Sequence, residues 1–230
     1  MSSRRFVTFD CAGTLLKVDW APGRFAVECA RACGLDFGDA EESAYSRLLR
    51  QRWQDYEELN TTRDEATLDG FWRQLTLDWL AQENHAAVTE QVLEQARERL
   101  LEKFEVFEDV LPCLDALSQL GVRVAIISNW DYSLHRILRA KGLTDRFEFA
   151  IASLEEGVEK PHERIYRIAL DKLGAEPHEV AHVGDDPVDD FNGAREAGLR
   201  GLLIDRSLAE TRSPRLARLT DIPEVLGWTS

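Results

Sequence analysis

The sequence has few cysteines and no long apolar run. Its four cysteines are Cys11, Cys29, Cys33 and Cys113. No His or further Cys lies at ligand spacing near Cys29 and Cys33, so we interpret this pair as small buried residues on one helix face. No charged segment with an apolar core opens the chain, and no stretch approaches the roughly 20 apolar residues of a membrane-spanning helix. These absences predict a cytoplasmic protein with reduced thiols and no membrane partner.

Positive charge is also scarce. The 230 residues include 28 Lys and Arg against 42 Asp and Glu, which gives a net charge of -14 with His neutral. Such an excess disfavours nucleic acid or an anionic membrane surface as a partner. A small anionic substrate is compatible with it, because backbone N–H groups, one Lys and a metal ion outweigh a diffuse negative surface at short range.

The chain shows no internal repeat or low-complexity linker, and its length allows one large domain or a domain with an insertion. The short apolar run Phe6–Phe9 ends at Asp10, and Gly13 offers a turn, which predicts a first strand. From about Trp20 to Phe104 the apolar residues follow helical spacing without a strand signal. Trp20, Trp53, Trp72 and Trp79 are interpreted as core of this helical region.

After Phe107, predicted helices and strands alternate. The helices are Val110–Leu120, Tyr132–Ala140, Glu163–Leu173 and Val188–Ala197, and the strands are Val122–Ile127, about Phe149–Ala152, Val180–Val183 and Gly201–Ile204. This alternation implies right-handed βαβ units and a parallel sheet. The roughly 85 helical residues after the first strand far exceed the dozen or so of a crossover. We therefore predict an α/β fold, with a Rossmann-like parallel sheet core (1–17 and 106–230) and an inserted all-helical cap domain (18–105).

Chemical groups cluster after the predicted strands, where ligands of a parallel sheet gather. In chain order the segments are Asp10-Cys11-Ala12-Gly13-Thr14, Ser128-Asn129, Lys160-Pro161, and Gly184-Asp185 followed by Asp190. These four motifs, in this order, resemble the haloacid dehalogenase (HAD) superfamily over essentially the whole chain. Ser128-Asn129-Trp130-Asp131 with Leu134 is similar to a branch related to a rhythmically expressed fly gene product, as is the segment from Gly184 to Gly198.

The resemblance implies a Mg²⁺-dependent reaction in which Asp10 attacks phosphorus and forms an aspartyl-phosphate that water later cleaves. It implies Asp10, the backbone carbonyl of Ala12 and Asp185 as Mg²⁺ ligands, with Asp190 as an outer-sphere or alternative ligand. Two further motifs complete the expected site. Ser128 and the amide of Asn129 would hold the phosphoryl oxygens, and Lys160 would offset the charge on Asp10 and the phosphate.

Ala12 departs from the pattern of phosphatases in this superfamily, which carry a second Asp there to protonate the leaving group and activate water. Losing such a group forfeits about 10² to 10⁴ in rate. Ala at this position also resembles phosphonoacetaldehyde hydrolase, but that chemistry needs a cap lysine, and Lys103 is the only lysine between Trp20 and Phe104. Dehalogenases carry an aromatic residue at this position, and its absence argues against that activity.

Three hypotheses stay open. The first is a phosphatase acting on a small phosphorylated metabolite, either limited to substrates with good leaving groups or using a substituted acid from the cap. The second is a catalytically silent protein that binds a phosphorylated ligand or a protein partner. The third, a receiver-type phospho-acceptor domain, is disfavoured by the long helical insertion.

Of the other polar residues, Asp186 and Asp189 are interpreted as acids at a helix N-terminus, and four histidines without shared spacing are assigned to no site: His135, His162, His178 and His182. The substrate and oligomeric state are left undetermined.

Overall fold

The computed structural model describes residues 5–228. Within this range the chain forms two compact units. The sheet unit contains the residues up to Lys17 and those from Glu105 onward, and the helical unit is Val18–Phe104. No helix within residues 5–228 has the length and apolar character needed to cross a membrane.

The strands, numbered along the chain, are β1 (Phe6–Phe9), β2 (Leu16–Val18), β3 (Phe104–Val106), β4 (Arg123–Ser128), β5 (Ala150–Ala152), β6 (Val180–Gly184), β7 (Arg200–Ile204) and β8 (Arg215–Leu216). Six of them form one parallel sheet in the order β5-β4-β1-β6-β7-β8. This arrangement confirms the predicted α/β class. The sequence did not predict β8, nor β2 and β3, which pair in a separate two-stranded sheet. Strands of two or three residues are too short for a periodic pattern to reveal them.

The helices are α1 (Pro22–Ala32), α2 (Asp39–Gln51), α3 (Trp53–Asn60), α4 (Glu65–Gln82), α5 (Thr89–Arg99), α6 (Val110–Gln119), α7 (Ser133–Ala140), α8 (Ser153–Glu156), α9 (Glu163–Leu173), α10 (Gly193–Glu196) and α11 (Ile222–Val225). The first five lie in the helical unit. There the Trp79 ring is fully buried and meets the rings of Phe37 and Tyr45 edge-on. The prediction that Trp53 is core is wrong: it is 42% exposed, and its indole N–H donates to Glu57, one turn further along α3.

Strand β1 lies at the centre of the six-stranded sheet, between β4 and β6. All four of its residues are buried, as expected of a strand covered on both faces. Phe9 is level with Ile126 on β4 and with Val183 on β6. The residues that follow these three strands therefore leave the sheet at the same edge.

The helix predicted over Val188–Ala197 is divided in the structure. It begins as a π-helical turn, Pro187–Asn192, and continues as α10. The wider turn arises because the carbonyl of Asp186 accepts from the backbone N–H groups of both Asp190 and Phe191, each at 3.1 Å. Single π-helical turns are frequent at functional sites, and this one carries Asp190.

Candidate active site

Asp10 is anchored at the carboxyl edge of the sheet. Its backbone N–H donates to the carbonyl of Val183 at 2.8 Å, so the residue continues the register of β1 beyond the strand. The carboxylate is buried, and its Oδ1 accepts from Lys160 Nζ at 2.6 Å and from Ser128 Oγ at 3.1 Å. Burial raises the pKa of Asp10, and the ammonium of Lys160 opposes that shift. Both donors use Oδ1, so the second carboxylate oxygen is engaged by neither.

A tight turn follows Asp10. The N–H groups of Leu15 and Leu16 both donate to the carbonyl of Cys11, and Gly13 N–H donates back to Leu16. Gly13 has φ +77°, a conformation that L side chains rarely adopt. A Cβ at this position would lie 2.3 Å from Oδ2 of Asp185. Glycine is therefore required here for two reasons, the left-handed backbone and the close approach of Asp185.

Replacing Gly13 with Ala is expected to lower the free energy of unfolding by more than the roughly 1 to 2 kcal/mol of left-handed strain alone, because the carboxylate of Asp185 must also move. Gly121 is the matched control, since it has φ +68° but no atom within 4 Å of its ideal Cβ. Chemical denaturation of Gly13→Ala and Gly121→Ala measures the difference. Equal losses in the two variants would contradict a role for the contact with Asp185.

Lys160 lies between two carboxylates. Its ammonium donates to Oδ1 of Asp10 and to Oδ1 of Asp190, each at 2.6 Å, and the residue is only 4% exposed. Burial alone would lower the pKa of Lys160, but the two carboxylates raise it above its usual value. The backbone of Lys160 is held by the side chain of Asn129, which accepts from its N–H at 2.8 Å and donates to its carbonyl at 3.0 Å. Asn129 thus fixes the position of the Lys160 backbone within its loop.

Asp190 is satisfied almost entirely by protein donors. Its Oδ1 accepts from Lys160 and, at 3.1 Å, from Nε2 of the buried His182, and its Oδ2 accepts from the N–H of Asp186 at 3.0 Å. The other ring nitrogen of His182 bonds to the hydroxyl of Thr8 at 2.9 Å. Burial works to raise the pKa of Asp190, but the bond from His182 and the charge of Lys160 hold it below its usual range. Burial lowers the pKa of His182, and the bond to Asp190 opposes that shift.

Asp185 completes an acidic cluster. One carboxylate oxygen from each of Asp10, Asp185 and Asp190 lies within 4.8 Å of the others. Burial, followed by the negative charges of Asp10 and Asp190, raises the pKa of Asp185 to about 6. Three carboxylates meet one buried ammonium, that of Lys160, so the cluster has more acidic groups than cationic ones. A divalent cation that prefers hard oxygen ligands fits both this charge and this donor set.

The remaining candidate residues lie in the same loops. Ala12 is partly exposed within the turn after Asp10 and forms a bridge with Leu16. Asp186 accepts from the N–H groups of Val188 and Asp189 at 2.7 Å, the geometry of an acid that caps a helix N-terminus. Asp189 lies in that first turn, and its carboxylate accepts from the Asn129 side chain at 3.2 Å.

Sequence reasoning missed two contributors to this arrangement. No predicted site includes His182, although its Nε2 bonds to Oδ1 of Asp190 in the structure. The available signal was its place inside the otherwise apolar strand β6, because a buried polar side chain needs a partner. The sequence predicts that Asn129 binds phosphate, but it does not reveal that the Asn129 side chain holds the backbone of Lys160.

The chain is similar to several known proteins. It is 32% identical over 225 residues to haloacid dehalogenase-like hydrolase domain-containing protein 3 of Xenopus laevis, covering 88% of this chain and 84% of that protein. It is 27% identical to the Rhythmically expressed gene 2 protein of Drosophila melanogaster, covering 89% of this chain and 84% of that protein. With (S)-2-haloacid dehalogenase 1 of a Pseudomonas species it shares 31% identity over 98% of both chains.

Solved structures show the same fold. A 2-haloacid dehalogenase from Pseudomonas syringae superposes with a TM-score of 0.67 at 25% identity, covering 98% of this chain and 100% of the other. The HAD-hydrolase YfnB from Bacillus subtilis, described as bound to magnesium, has a TM-score of 0.64 at 17% identity, with coverage of 98% and 100%.

The fold and its acidic edge define a class of α/β enzymes that place carboxylates after the first strand and after a neighbouring strand. The sequence profile of the haloacid dehalogenase-like hydrolases matches residues 5–198 of this chain. The chain therefore belongs to the haloacid dehalogenase-like hydrolase family, and its resemblance to the rhythmically-expressed-gene branch is confirmed.

Proposed function

We propose that this hydrolase is a Mg²⁺-dependent phosphatase that acts on a small phosphorylated metabolite through an aspartyl-phosphate at Asp10, with its activity attenuated by Ala12. The observation that carries the proposal is the cluster of Asp10, Asp185 and Asp190 around Lys160. In this proposal the helical unit is the cap that selects the substrate. The net charge of -14 supports a small phosphorylated molecule rather than nucleic acid or a membrane as the partner.

Charge favours phosphoryl transfer over attack on a haloacid. A haloacid is itself an anion, and three carboxylates near one lysine would repel it. A phosphate is also an anion, but it is the kind of group that proteins bind together with Mg²⁺ and one or two carboxylates. Magnesium in the YfnB structure, which has the same fold, is consistent with this assignment.

In this proposal Mg²⁺ is held by Asp10, Asp185 and the Ala12 carbonyl, and it supplies positive charge that neutralises the phosphoryl oxygens. Asp190 would take an outer-sphere role, and the acceptance of its oxygens from Lys160, His182 and the Asp186 amide supports this assignment.

The protein groups then divide the chemistry. The carboxylate of Asp10 attacks phosphorus in line, the bond to the ester oxygen breaks, and an aspartyl-phosphate forms. The Ser128 hydroxyl and the Asn129 N–H donate to the phosphoryl oxygens, while Lys160 offsets their charge. Water then attacks the phosphorus and regenerates Asp10.

Ala12 restricts which substrates can react. Its methyl group neither protonates a departing oxygen nor takes a proton from water. Alkyl phosphates release a strongly basic alkoxide and suffer most from this loss, which is worth about 10² to 10⁴ in rate. Aryl and acyl phosphates release weakly basic oxygens, so we expect them to be the better substrates.

Metal dependence is the direct test. Hydrolysis of p-nitrophenyl phosphate is expected to require Mg²⁺, to stop in EDTA and to return with excess Mg²⁺. The ion should also stabilise the protein, by about 2.7 kcal/mol at 100 times its Kd, which a thermal melt with and without Mg²⁺ measures. Release of chloride from (S)-2-chloropropionate serves as the control reaction. Hydrolysis of p-nitrophenyl phosphate that continues in EDTA, or chloride release that does not require a metal, would contradict the proposal.

The alternative is a catalytically silent protein that binds a phosphorylated ligand or a protein partner, and Ala12 is the observation that favours it. This alternative predicts that inorganic phosphate with Mg²⁺ raises the melting temperature although no phosphate ester is hydrolysed. Hydrolysis at any rate that depends on Asp10 excludes it.

A further inference from the structure

Arg206 reaches the turn that follows Asp10 from the opposite end of the chain. It lies just beyond β7, and its guanidinium donates to the carbonyl of Gly13 at 3.0 Å and to the carbonyl of Thr14 at 2.7 Å. These two carbonyls belong to the loop that carries Asp10 and Ala12. The guanidinium of Arg206 thus binds the backbone of this turn directly.

The guanidinium is itself held in place. It lies over the ring of Phe107, with the central carbon 3.7 Å from the ring centroid, and it donates to Asp109 at 3.0 Å. The other oxygen of Asp109 accepts from the N–H of Leu219 at 2.9 Å, which fixes the carboxylate in turn. The Arg206 side chain is only 24% exposed. Its orientation is therefore set by a ring, a carboxylate and two carbonyls together.

The contacts continue from the turn to the acidic cluster. The hydroxyl of Thr14 donates to Oδ1 of Asp185 at 3.2 Å, and Gly13 leaves the space that the Asp185 carboxylate fills. A shift of Gly13 and Thr14 would therefore shift Asp185. We propose that Arg206 is a positioning residue for the reaction, holding the turn so that Asp10 and Asp185 keep their mutual geometry.

Arginine suits this task better than lysine. Its planar group presents five N–H donors in a fixed fork, so one side chain serves two carbonyls and a carboxylate at once. A lysine ammonium keeps the charge opposite Asp109 but has no fork with which to reach all three acceptors. The inference rests on the proposed role of Asp10 and Asp185, and not on the identity of the substrate.

The test compares Arg206→Met and Arg206→Lys with Arg200→Met. Arg200 also donates to a backbone carbonyl of the sheet unit, that of Val225 at 3.0 Å, and so controls for loss of such a bond. With p-nitrophenyl phosphate and Mg²⁺, we expect kcat of Arg206→Met to fall about 10- to 100-fold, the scale set by small misplacements of reacting groups. KM should change much less. Arg206→Lys should recover the melting temperature but not kcat.

A second readout needs neither metal nor turnover. Hydrogen exchange of metal-free protein follows the amides of Gly13, Leu15 and Leu16, which bond within the turn. In Arg206→Met they should exchange about tenfold faster than in the wild type, while in Arg200→Met they should not.

These results distinguish a positioning role of Arg206 from a purely structural one. Unchanged exchange in Arg206→Met, or a loss of activity that only parallels a loss of melting temperature, would overturn the inference. A wild type that neither binds Mg²⁺ nor hydrolyses the ester contradicts the proposed function instead. In that case the exchange measurement alone decides whether Arg206 holds the turn.

Discussion

The Asp10→Asn variant is expected to lose turnover of p-nitrophenyl phosphate by at least about 10⁴-fold, the scale seen when a reacting group is removed. An amide has no negative charge with which to attack phosphorus. It keeps the shape of the carboxylate and one oxygen that accepts from Lys160 and Ser128, so the local structure has partners for both donors. Steady-state rates at saturating Mg²⁺ measure the effect.

Asp171→Asn is the control for loss of one negative charge, since Asp171 is exposed on α9. We expect it to retain wild-type turnover. If Asp10→Asn melted near the wild-type temperature and still hydrolysed the ester at the wild-type rate, Asp10 would not be the nucleophile. Loss of chloride release in the same variant, with phosphate hydrolysis intact, would point to dehalogenation instead.

Ala12→Asp is expected to raise hydrolysis of alkyl phosphates by about 10² to 10⁴-fold, because it supplies the proton donor and base that the turn lacks. The gain for p-nitrophenyl phosphate should be smaller, since p-nitrophenolate departs without protonation. Ala12 is partly exposed, so a longer side chain has room at this position. Parallel assays of an alkyl and an aryl phosphate give the ratio of the two gains.

Ala12→Asn is the matched control, with nearly the same shape as Asp but no carboxyl group to act as general acid or base. An Asp variant no better than the Asn variant would show that proton transfer at this position does not limit the reaction.

Ala12→Asp also bears on the second step of the reaction, the attack of water on the aspartyl-phosphate. Without a base to activate water, the aspartyl-phosphate should accumulate, so the wild type should release a burst of p-nitrophenolate that Ala12→Asp shortens or removes.

Much of the fold follows from local pattern. Strand β1 was predicted residue for residue from a short apolar run that ends at an acid, and α9 from its regular apolar spacing. The other predicted strands of the sheet differ from the observed ones by one residue at each affected end. The divided helix after Asp186 was not predicted, because a π-helical turn depends on which backbone groups share a carbonyl.

The sequence by itself determined which residues reach the carboxyl edge of the sheet. Alternating strands and helices imply a parallel sheet, and parallel strands deliver Asp10, Ser128 and Asp185 to one rim. The sequence alone also shows that Ala12 departs from the phosphatase pattern of the family it resembles, since this residue lies at a fixed spacing from Asp10 within one motif.

Only the tertiary structure decided how those residues are held. Lys160 bonds to a carboxylate 150 positions away and Arg206 to a carbonyl 193 positions away. His182 bonds to Asp190, which lies in the π-helical turn that follows β6. Periodicity and turn chemistry describe neighbours along the chain, whereas these bonds depend on strand order, register and side-chain direction, which no short window of sequence contains.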